Sequence, residues 1–238
     1  MKIALIGYGK MGKEIEQIAI GRGHTVVLKT DISNPEALTV ENLQKADVAI
    51  EFTSPGSAVH NYLLCFEAGV PVVSGTTGWL DQRAEVEKAC HEKGGGFFYA
   101  SNFSLGVNLF FELNRKLAQM MKPYPQYDVS MVEIHHTQKL DAPSGTAISL
   151  ANDIIQQHGH KKTWTIEPAA SKEELPIVPI REGTVPGIHS VKYNSEDDYI
   201  EITHSAYSRK GFALGAVLAA EFTAGKRGIY SMTDMLGF

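Results

Sequence analysis

The sequence of 238 residues is short of the features that define several large protein classes. Its two cysteines, Cys65 and Cys90, form no CxxC pair, so we expect reduced packing residues and not a disulfide framework. No apolar run approaches the ~20 residues that a membrane helix needs. The apolar stretch in residues 1–16 is short, interrupted by glycine and without a small-residue cleavage site, so a secretory signal is not expected. We therefore expect a cytoplasmic protein with no membrane partner.

Positive charge is also scarce. Lysine and arginine total 22 against 27 aspartates and glutamates, which gives a net charge of -5. Nucleic-acid surfaces need clustered lysine and arginine to neutralise phosphates, and no run of adjacent basic residues, such as Lys161 with Lys162, is longer than two. We expect no nucleic-acid partner, and an acidic ligand has to be held by a few local groups.

A glycine-rich turn follows the first apolar run. "IALI" at residues 3–6 is typical of a buried parallel strand, and Gly7, Gly9 and Gly12 come directly before a segment with helical periodicity. In this context GxGxxG predicts a dinucleotide site, because the pyrophosphate approaches backbone N–H groups at a helix N-terminus. The alternative is a tight turn with a structural role only.

The second strand, "TVVL", ends near an acidic residue. Asp31 lies close to the distance from the glycines at which a carboxylate binds the adenosine ribose. Lys29 offers another possibility, since a lysine there favours the 2′-phosphate of NADP, and both residues also suit a solvated strand end. The choice between NADH and NADPH stays open.

Strand and helix patterns continue to alternate as far as residue 99, which predicts a doubly wound parallel sheet. Ligands of such sheets bind beyond the carboxyl ends of the strands. The loops "FTSP" (52–55), "GTTGW" (75–79) and "ASNFS" (100–104) are therefore expected on one rim, around the nicotinamide.

The pattern changes near Ser104, where we expect a second domain of α+β class with a mostly antiparallel sheet. "DVSMVEIHH" and "YIEITHSA" alternate apolar and polar residues as half-exposed antiparallel strands do. A helix before them carries an apolar stripe that predicts a core face: Leu109, Phe110, Leu113, Leu117 and Met120.

Protonatable residues are concentrated in "EIHHTQKLDAPSGTA", residues 133–147. On a strand, His135 and His136 point to opposite faces, which also suits one solvated and one core histidine. Ser144 is predicted to cap a helix after Pro143, so that N–H groups at its start face outward and bind a carboxylate. HisxxxHis and His/Cys metal spacings are absent from the sequence, so no metal site is expected.

Several segments, in this order along the chain, resemble the dihydrodipicolinate reductase family: "GYGKMG", "EFTSPGSAVHN", "VSGTTGW", "ASNFSLGVN", "HHTQKLDAPSGTA" and "SRKGFALGAVLAAEF". The resemblance covers nearly the whole chain. It implies a nicotinamide-dependent enzyme of bacterial lysine and diaminopimelate biosynthesis. Two departures bear on cofactor choice: the glycine turn is shorter than in many members, and Ser54 stands where some carry an arginine.

The resemblance implies roles for individual residues. His135 is the acid/base, Lys139 a proton donor, and a dicarboxylate substrate contacts His136, Lys139, Gly145 and Thr146. NADH and/or NADPH contacts Gly7, Tyr8, Gly9, Lys10, Met11, Gly12, Asp31, Phe52, Thr53, Gly75, Thr76, Thr77, Ala100, Ser101, Asn102 and Phe103. No role is assigned to Arg181, His189 or Arg209.

The family fold also implies that the end of the chain rejoins the cofactor domain, giving domains of residues 1–103 with 213–238 and 104–212, and a homotetramer built through the second-domain sheets. The expected reaction is hydride transfer to C4 of the cyclic imine formed when 4-hydroxytetrahydrodipicolinate loses water. The alternatives are another two-domain dehydrogenase, acting on an amino-acid semialdehyde, and a non-catalytic nicotinamide sensor.

Overall fold

The computed structural model describes residues 1–208 and 210–238. The chain divides into two compact units, Met1–Leu105 with Lys210–Phe238, and Gly106–Arg209. The boundaries expected after residues 103 and 212 lie two and three residues from these divisions. Arg209 itself lies outside the described residues.

Eleven strands and eight α-helices lie within the described part of the chain. The strands are β1 (Lys2–Ile6), β2 (Thr25–Thr30), β3 (Val48–Glu51), β4 (Val72–Ser74), β5 (Gly96–Tyr99), β6 (Asp128–His135), β7 (Thr163–Thr165), β8 (Glu174–Arg181), β9 (Gly187–Asn194), β10 (Tyr199–Ala206) and β11 (Gly228–Tyr230). The helices are α1 (Lys10–Gly21), α2 (Val40–Leu43), α3 (Pro55–Ala68), α4 (Arg83–Glu92), α5 (Leu105–Met121), α6 (Gly145–His158), α7 (Lys210–Thr223) and α8 (Met232–Leu236). None of the helices described is long and apolar enough to cross a membrane.

The first unit is built on a parallel sheet with the strand order β11-β5-β4-β3-β1-β2. Its strands are buried on both faces because α1 and α7 cover one side and α3 and α4 the other. Alternate residues of β1 therefore pack in two separate cores. Ile3 and Leu5 lie in one core, and Ala4 and Ile6 lie in the other. The predicted doubly wound sheet is confirmed, and its strand order reverses between β1 and β3.

The second unit contains a mixed sheet with the order β10-β9-β6-β8-β7. Strand β9 pairs antiparallel with β10 and β6, as the alternating pattern predicts, whereas β8 pairs parallel with β6 and β7. The sequence patterns predicted no element at β8, which carries prolines at 176 and 179, residues that are unusual in a strand inside a sheet. Helix α6 packs against β6 and β8.

The predicted core stripe of α5 is wrong for three of its five residues. Leu109, Leu113 and Met120 are exposed, whereas Phe110 and Leu117 are buried. The helix turns a neighbouring face to the sheet, which also buries Val107, Asn114, Ala118 and Met121. A helix this apolar carries two adjacent stripes, and periodicity alone does not say which one the sheet covers.

Both cysteines are reduced and buried, as predicted. Burial raises the pKa of the Cys65 thiol, and it raises that of Cys90 to about 11. Thiols with raised pKa values are poor nucleophiles at neutral pH, which is consistent with a packing role.

Candidate active site

The glycine turn lies where the strand order of the first sheet reverses. Gly7 has a φ of 97°, and a Cβ on it would lie 1.9 Å from the carbonyl oxygen of Phe52 at the end of β3. The backbone N–H groups of Gly7 and Tyr8 both donate to the Thr30 carbonyl, at 2.9 and 3.0 Å. These contacts join the turn to the ends of β2 and β3, in the crevice where doubly wound sheets bind ligands.

The other two glycines differ in what surrounds them. A Cβ on Gly12 would lie 2.4 Å from the Gly7 carbonyl oxygen, so this glycine is required by the turn itself. A Cβ on Gly9 would meet no atom within 4 Å, and Gly9 begins α1 without a side-chain capping bond. The first turn of α1 thus offers N–H groups beside open space, which fits the pyrophosphate of a nicotinamide dinucleotide.

Charged residues surround the end of β2. Lys29 lies 3.2 Å from Glu16 and 4.8 Å above the Tyr8 ring, and the Tyr8 hydroxyl donates to the same glutamate. One carboxylate oxygen of Asp31 accepts bonds from the N–H and hydroxyl of Ser33, at 2.7 and 2.6 Å. These bonds lower the pKa of Asp31. The turn therefore has a carboxylate and a lysine beside it, and the geometry leaves the cofactor preference open.

The remaining predicted cofactor residues follow β3, β4 and β5 on the same rim. The Thr53 N–H donates to the Thr76 hydroxyl at 2.8 Å, and the rings of Phe52 and Phe103 lie 5.6 Å apart. A Cβ on Gly75 would lie 2.1 Å from the Phe52 ring. Thr77 and Ser101 are exposed, Ala100 is buried, and Asn102 accepts a bond from the Ser104 N–H.

Sequence reasoning missed the group that supports these loops, Glu51. Its buried carboxylate accepts hydrogen bonds from Ser74 at 2.7 Å, from Thr76 at 3.0 Å and from Thr53. The Tyr62 hydroxyl extends the network through Ser74 at 2.6 Å. Loops after two different strands are thus tied to one carboxylate at the end of β3.

In the second unit the two adjacent histidines differ, as the strand pattern predicts. His135 ends β6 on the buried face, with 7% of its surface exposed, whereas His136 is half-buried. His136 lines a cleft of about 380 Å³ with Thr137, Gln138, Gly183, Thr184 and Pro186.

Glu133 lies beneath His135 on the same face of β6 and is fully buried. One of its carboxylate oxygens lies 3.4 Å from His135 Nδ1, without hydrogen-bond alignment, and 3.8 Å from His189 Nε2. The other accepts a bond from Arg181 at 3.1 Å. Atoms that could bind a metal ion are present on Glu133, His135 and His189, and they lie within 4.8 Å of one another. Arg181 places a positive charge against the same carboxylate, which disfavours a cation there.

Lys139 is held by the carboxylate of Asp141, a residue to which the sequence assigned no role. Its Nζ lies 2.7 and 2.8 Å from the two oxygens of Asp141, and this contact lowers the pKa of Asp141. Arg181 donates to the carbonyl oxygen of Asp141 at 2.7 Å and so fixes the same loop to β8.

The predicted cap of α6 is confirmed: the Ser144 hydroxyl accepts a bond from the Ala147 N–H at 3.2 Å. Gly145 begins the helix, and a Cβ on it would meet no atom within 4 Å. Gly145 is exposed and Thr146 half-buried, so the start of α6 is open to an anion.

Burial dominates the electrostatics of the two inward-facing histidines. It lowers the pKa of His135, with Lys139 and Arg181 acting in the same direction and Glu133 opposing them. It lowers the pKa of His189 to about 4. Near neutral pH both rings are therefore mainly uncharged in the protein without ligand.

Comparisons with known proteins agree with this arrangement. Two family models, described as the N-terminus and the C-terminus of dihydrodipicolinate reductase, match residues 1–103 and 106–236. The chain belongs to the dihydrodipicolinate reductase family. Of that family, the 4-hydroxy-tetrahydrodipicolinate reductase of Christiangramia forsetii is 52% identical over 99% of this chain and 98% of its own length. The Methanosarcina mazei reductase of the same name is 38% identical over 99% of this chain and 89% of its own length.

A solved member of the dihydrodipicolinate reductase family has the same fold. The dipicolinate-bound enzyme from Paenisporosarcina sp. TG-14 superposes with a TM-score of 0.77 at 25% identity, and the match covers 98% of each chain. Dipicolinate is a small dicarboxylate, the ligand class that the sequence predicts for this chain.

Three side chains near His135 received no role from the sequence of this family member: Glu133, Arg181 and His189. One signal was available for Glu133, because residues two apart on a strand share a face. No comparable signal exists for Arg181 or His189, which reach Glu133 from β8 and β9.

Proposed function

We propose that this chain is an NAD(P)H-dependent 4-hydroxy-tetrahydrodipicolinate reductase of lysine and diaminopimelate biosynthesis. The observation that carries the proposal is 52% identity to a curated reductase over 99% of the chain. The residues support it independently, since a dinucleotide turn lies in one unit and a histidine, a lysine and an open helix start lie in the other.

The nicotinamide supplies a hydride, and this chain supplies binding groups and a proton. The first turn of α1 holds the cofactor pyrophosphate. The N–H groups at Gly145 and Thr146 hold a substrate carboxylate, and Lys139 adds a positive charge for the dicarboxylate. Hydride addition leaves electron density in the substrate ring, so the positive charge of Lys139 and a protonatable His135 stabilise that density and deliver the proton.

The proposal includes a homotetramer and a cytoplasmic location. One face of the second sheet is covered by α5 and α6, and the other exposes Val178 and Ile180 of β8. Exposed apolar sheet residues suit burial against another copy of the chain. A dependence on reduced nicotinamide fits the cytoplasm.

The direct test follows oxidation of NADH and of NADPH with the condensation product of pyruvate and aspartate semialdehyde. We expect turnover with at least one cofactor, and the comparison gives the preference. Turnover with a free amino-acid semialdehyde in its place would support the alternative dehydrogenase. Cofactor binding without turnover of either compound would support a sensor.

Two variants separate the roles of the candidate catalytic residues. We expect His135→Gln to lower kcat by roughly 10²–10⁴-fold with little change in KM, because proton transfer contributes about that factor. Lys139→Ala should lower kcat and raise the substrate KM, since its charge also binds the ground state. Steady-state kinetics with circular dichroism measures both effects. His91→Gln and Lys93→Ala are the controls, because His91 and Lys93 are exposed near the end of α4. Wild-type turnover by His135→Gln would show that this histidine is structural.

A further inference from the structure

Glu133 connects four elements of the second unit. The carboxylate lies on β6 two residues before His135, accepts a bond from Arg181 of β8 at 3.1 Å, and lies 3.8 Å from His189 of β9. Both of its oxygens also accept from the Ser144 N–H at the start of α6, at 3.2 and 3.1 Å. No part of this side chain is exposed, so its contacts are with protein groups.

His189 closes the network on the other side. Its Nε2 lies 3.1 Å from the Ser144 hydroxyl, and its ring lies edge-to-face to the His135 ring with centroids 5.1 Å apart. Gly187 completes the packing, because a Cβ there would come within 3.1 Å of His135 Nε2. The ring of His135 is thus bounded by Glu133 at Nδ1 and by β9 at its other edge.

An ionised carboxylate accepts hydrogen bonds and cannot donate them, so a ring nitrogen that faces it is favoured as the protonated one. The 3.4 Å separation of Glu133 and His135 Nδ1 lacks hydrogen-bond alignment. Hydrogen bonds of catalytic groups are often long without substrate and shorten in the complex.

We infer that Glu133 is a positioning residue that holds neutral His135 in its Nδ1–H tautomer, so that Nε2 is the nitrogen that exchanges the proton with substrate. The same carboxylate fixes the Ser144 N–H, and with it the position of the helix start that binds the substrate carboxylate. One buried group therefore aligns the proton donor with the carboxylate site. The inference rests on the proposed reductase function.

The first experiment reads the tautomer directly in the wild-type protein. Nitrogen NMR of histidine-labelled protein, with and without dipicolinate, distinguishes Nδ1–H from Nε2–H, and His135→Gln identifies the signal. We expect the Nδ1–H form, most clearly with dipicolinate bound. An Nε2–H form under both conditions would overturn the inference, and this measurement does not depend on the folding of a Glu133 variant.

The second experiment compares Glu133→Gln with Glu201→Gln, an identical change at an exposed residue of β10. We expect Glu133→Gln to lower kcat by about 10–100-fold, as loss of an orienting partner does, and to leave the KM for NADH or NADPH within about twofold. Glu201→Gln should match wild type. A folded Glu133→Gln enzyme with wild-type kcat would contradict the positioning role.

The pH profile separates positioning from a general loss of stability. Glu133 and Asp141 act on His135 with negative charge, and Lys139 and Arg181 act on it with positive charge. The titratable ring of His189 packs against it from β9. Of these groups, Glu133 favours the protonated ring most. Removing its charge lowers the pKa of His135, so the alkaline fall of kcat should move to lower pH in Glu133→Gln. An unshifted profile would overturn the inference.

Two further results would refute either the proposed function or the positioning role of Glu133. Inactivity of the wild type with its expected substrate would refute the proposed function, whereas an active wild type with an unaffected Glu133→Gln enzyme would refute only the inference. Inhibition of the wild type by EDTA, reversed by Zn²⁺, would assign Glu133, His135 and His189 to a metal and would also overturn the inference.

Discussion

Single residues of the glycine turn have separable roles. Gly7 and Gly12 are required by contacts inside the protein, with Phe52 and with Gly7 respectively, whereas Gly9 faces open space. The sequence motif treats the three as equivalent. The structure assigns only Gly9 a position from which a side chain would meet a ligand and nothing else.

Gly9→Val and Gly12→Val should therefore fail in different ways. Gly9→Val is expected to fold normally and to weaken cofactor binding by about tenfold or more, since the side chain fills the space above the helix start. Gly12→Val should lower the free energy of unfolding by about 1–3 kcal/mol through overpacking. Calorimetric titration with NADH and NADPH and urea unfolding measure the two effects. Unchanged affinity in folded Gly9→Val would remove this turn from the site.

Asp31→Ala is expected to weaken the binding of NADH more than that of NADPH, because a carboxylate binds ribose hydroxyls and repels a 2′-phosphate. Asp31 directly follows Thr30, whose carbonyl binds the glycine turn, and this places it beside the site. Titration of each cofactor gives the ratio of affinities. Asp81→Ala, at an exposed aspartate, is the control, and equal losses for both cofactors would exclude Asp31 from ribose recognition.

Whole elements of the second unit expose apolar surface on two sides. Strand β8 presents Val178 and Ile180 on the sheet face opposite α5 and α6, and α5 presents Leu109, Leu113 and Met120. On the sheet face, β10 adds Tyr199 to the exposed apolar residues.

Val178→Lys should break the proposed tetramer into smaller assemblies, because a charge on the sheet face is costly to bury without a partner. Size-exclusion chromatography with light scattering measures the mass. Ile20→Lys makes the same kind of change on α1, where Ile20 is 58% exposed, and should leave the assembly intact. A tetramer that persists in Val178→Lys would locate the interface elsewhere.

The whole molecule is expected to lose stability in mild acid. Burial lowers the pKa of His135, His158, His189 and His204. A histidine whose pKa is lower in the folded chain than in the unfolded chain binds its proton preferentially in the unfolded chain. Its stabilising contribution is therefore complete above the unfolded pKa and is lost as pH falls towards the folded pKa.

For His189 the two values are 6.5 and about 4, so the free energy of unfolding should fall by about 2–3 kcal/mol between pH 7.5 and pH 4.5 from this residue. His189→Gln removes the titration, and the difference in stability between the two pH values should shrink by that amount. Urea unfolding at both pH values measures it, with His91→Gln as the exposed control. If the difference in the free energy of unfolding between the two pH values is unchanged in His189→Gln, His189 has the same pKa in the folded and the unfolded chain.

Local patterns were enough to predict most elements of the first unit and the start of α6. Apolar strands buried on both faces, a glycine turn and a Ser144 cap are encoded within a few residues of one another. The face of α5 and the strand β8 were not predictable in this way. The first depends on which of two apolar stripes the sheet covers, and the second on a parallel pairing that tolerates its prolines.

The sequence by itself determined the dinucleotide turn, the segment with His135 and Lys139, and membership of the reductase family, because each is written in contiguous residues. Only the tertiary structure decided that the buried carboxylate of Glu133 is met by Arg181, His189 and Ser144. These residues belong to three strands and the start of a helix. Their proximity is set by strand register and helix docking, which depend on packing across the whole sheet and leave no mark in the spacing along the chain.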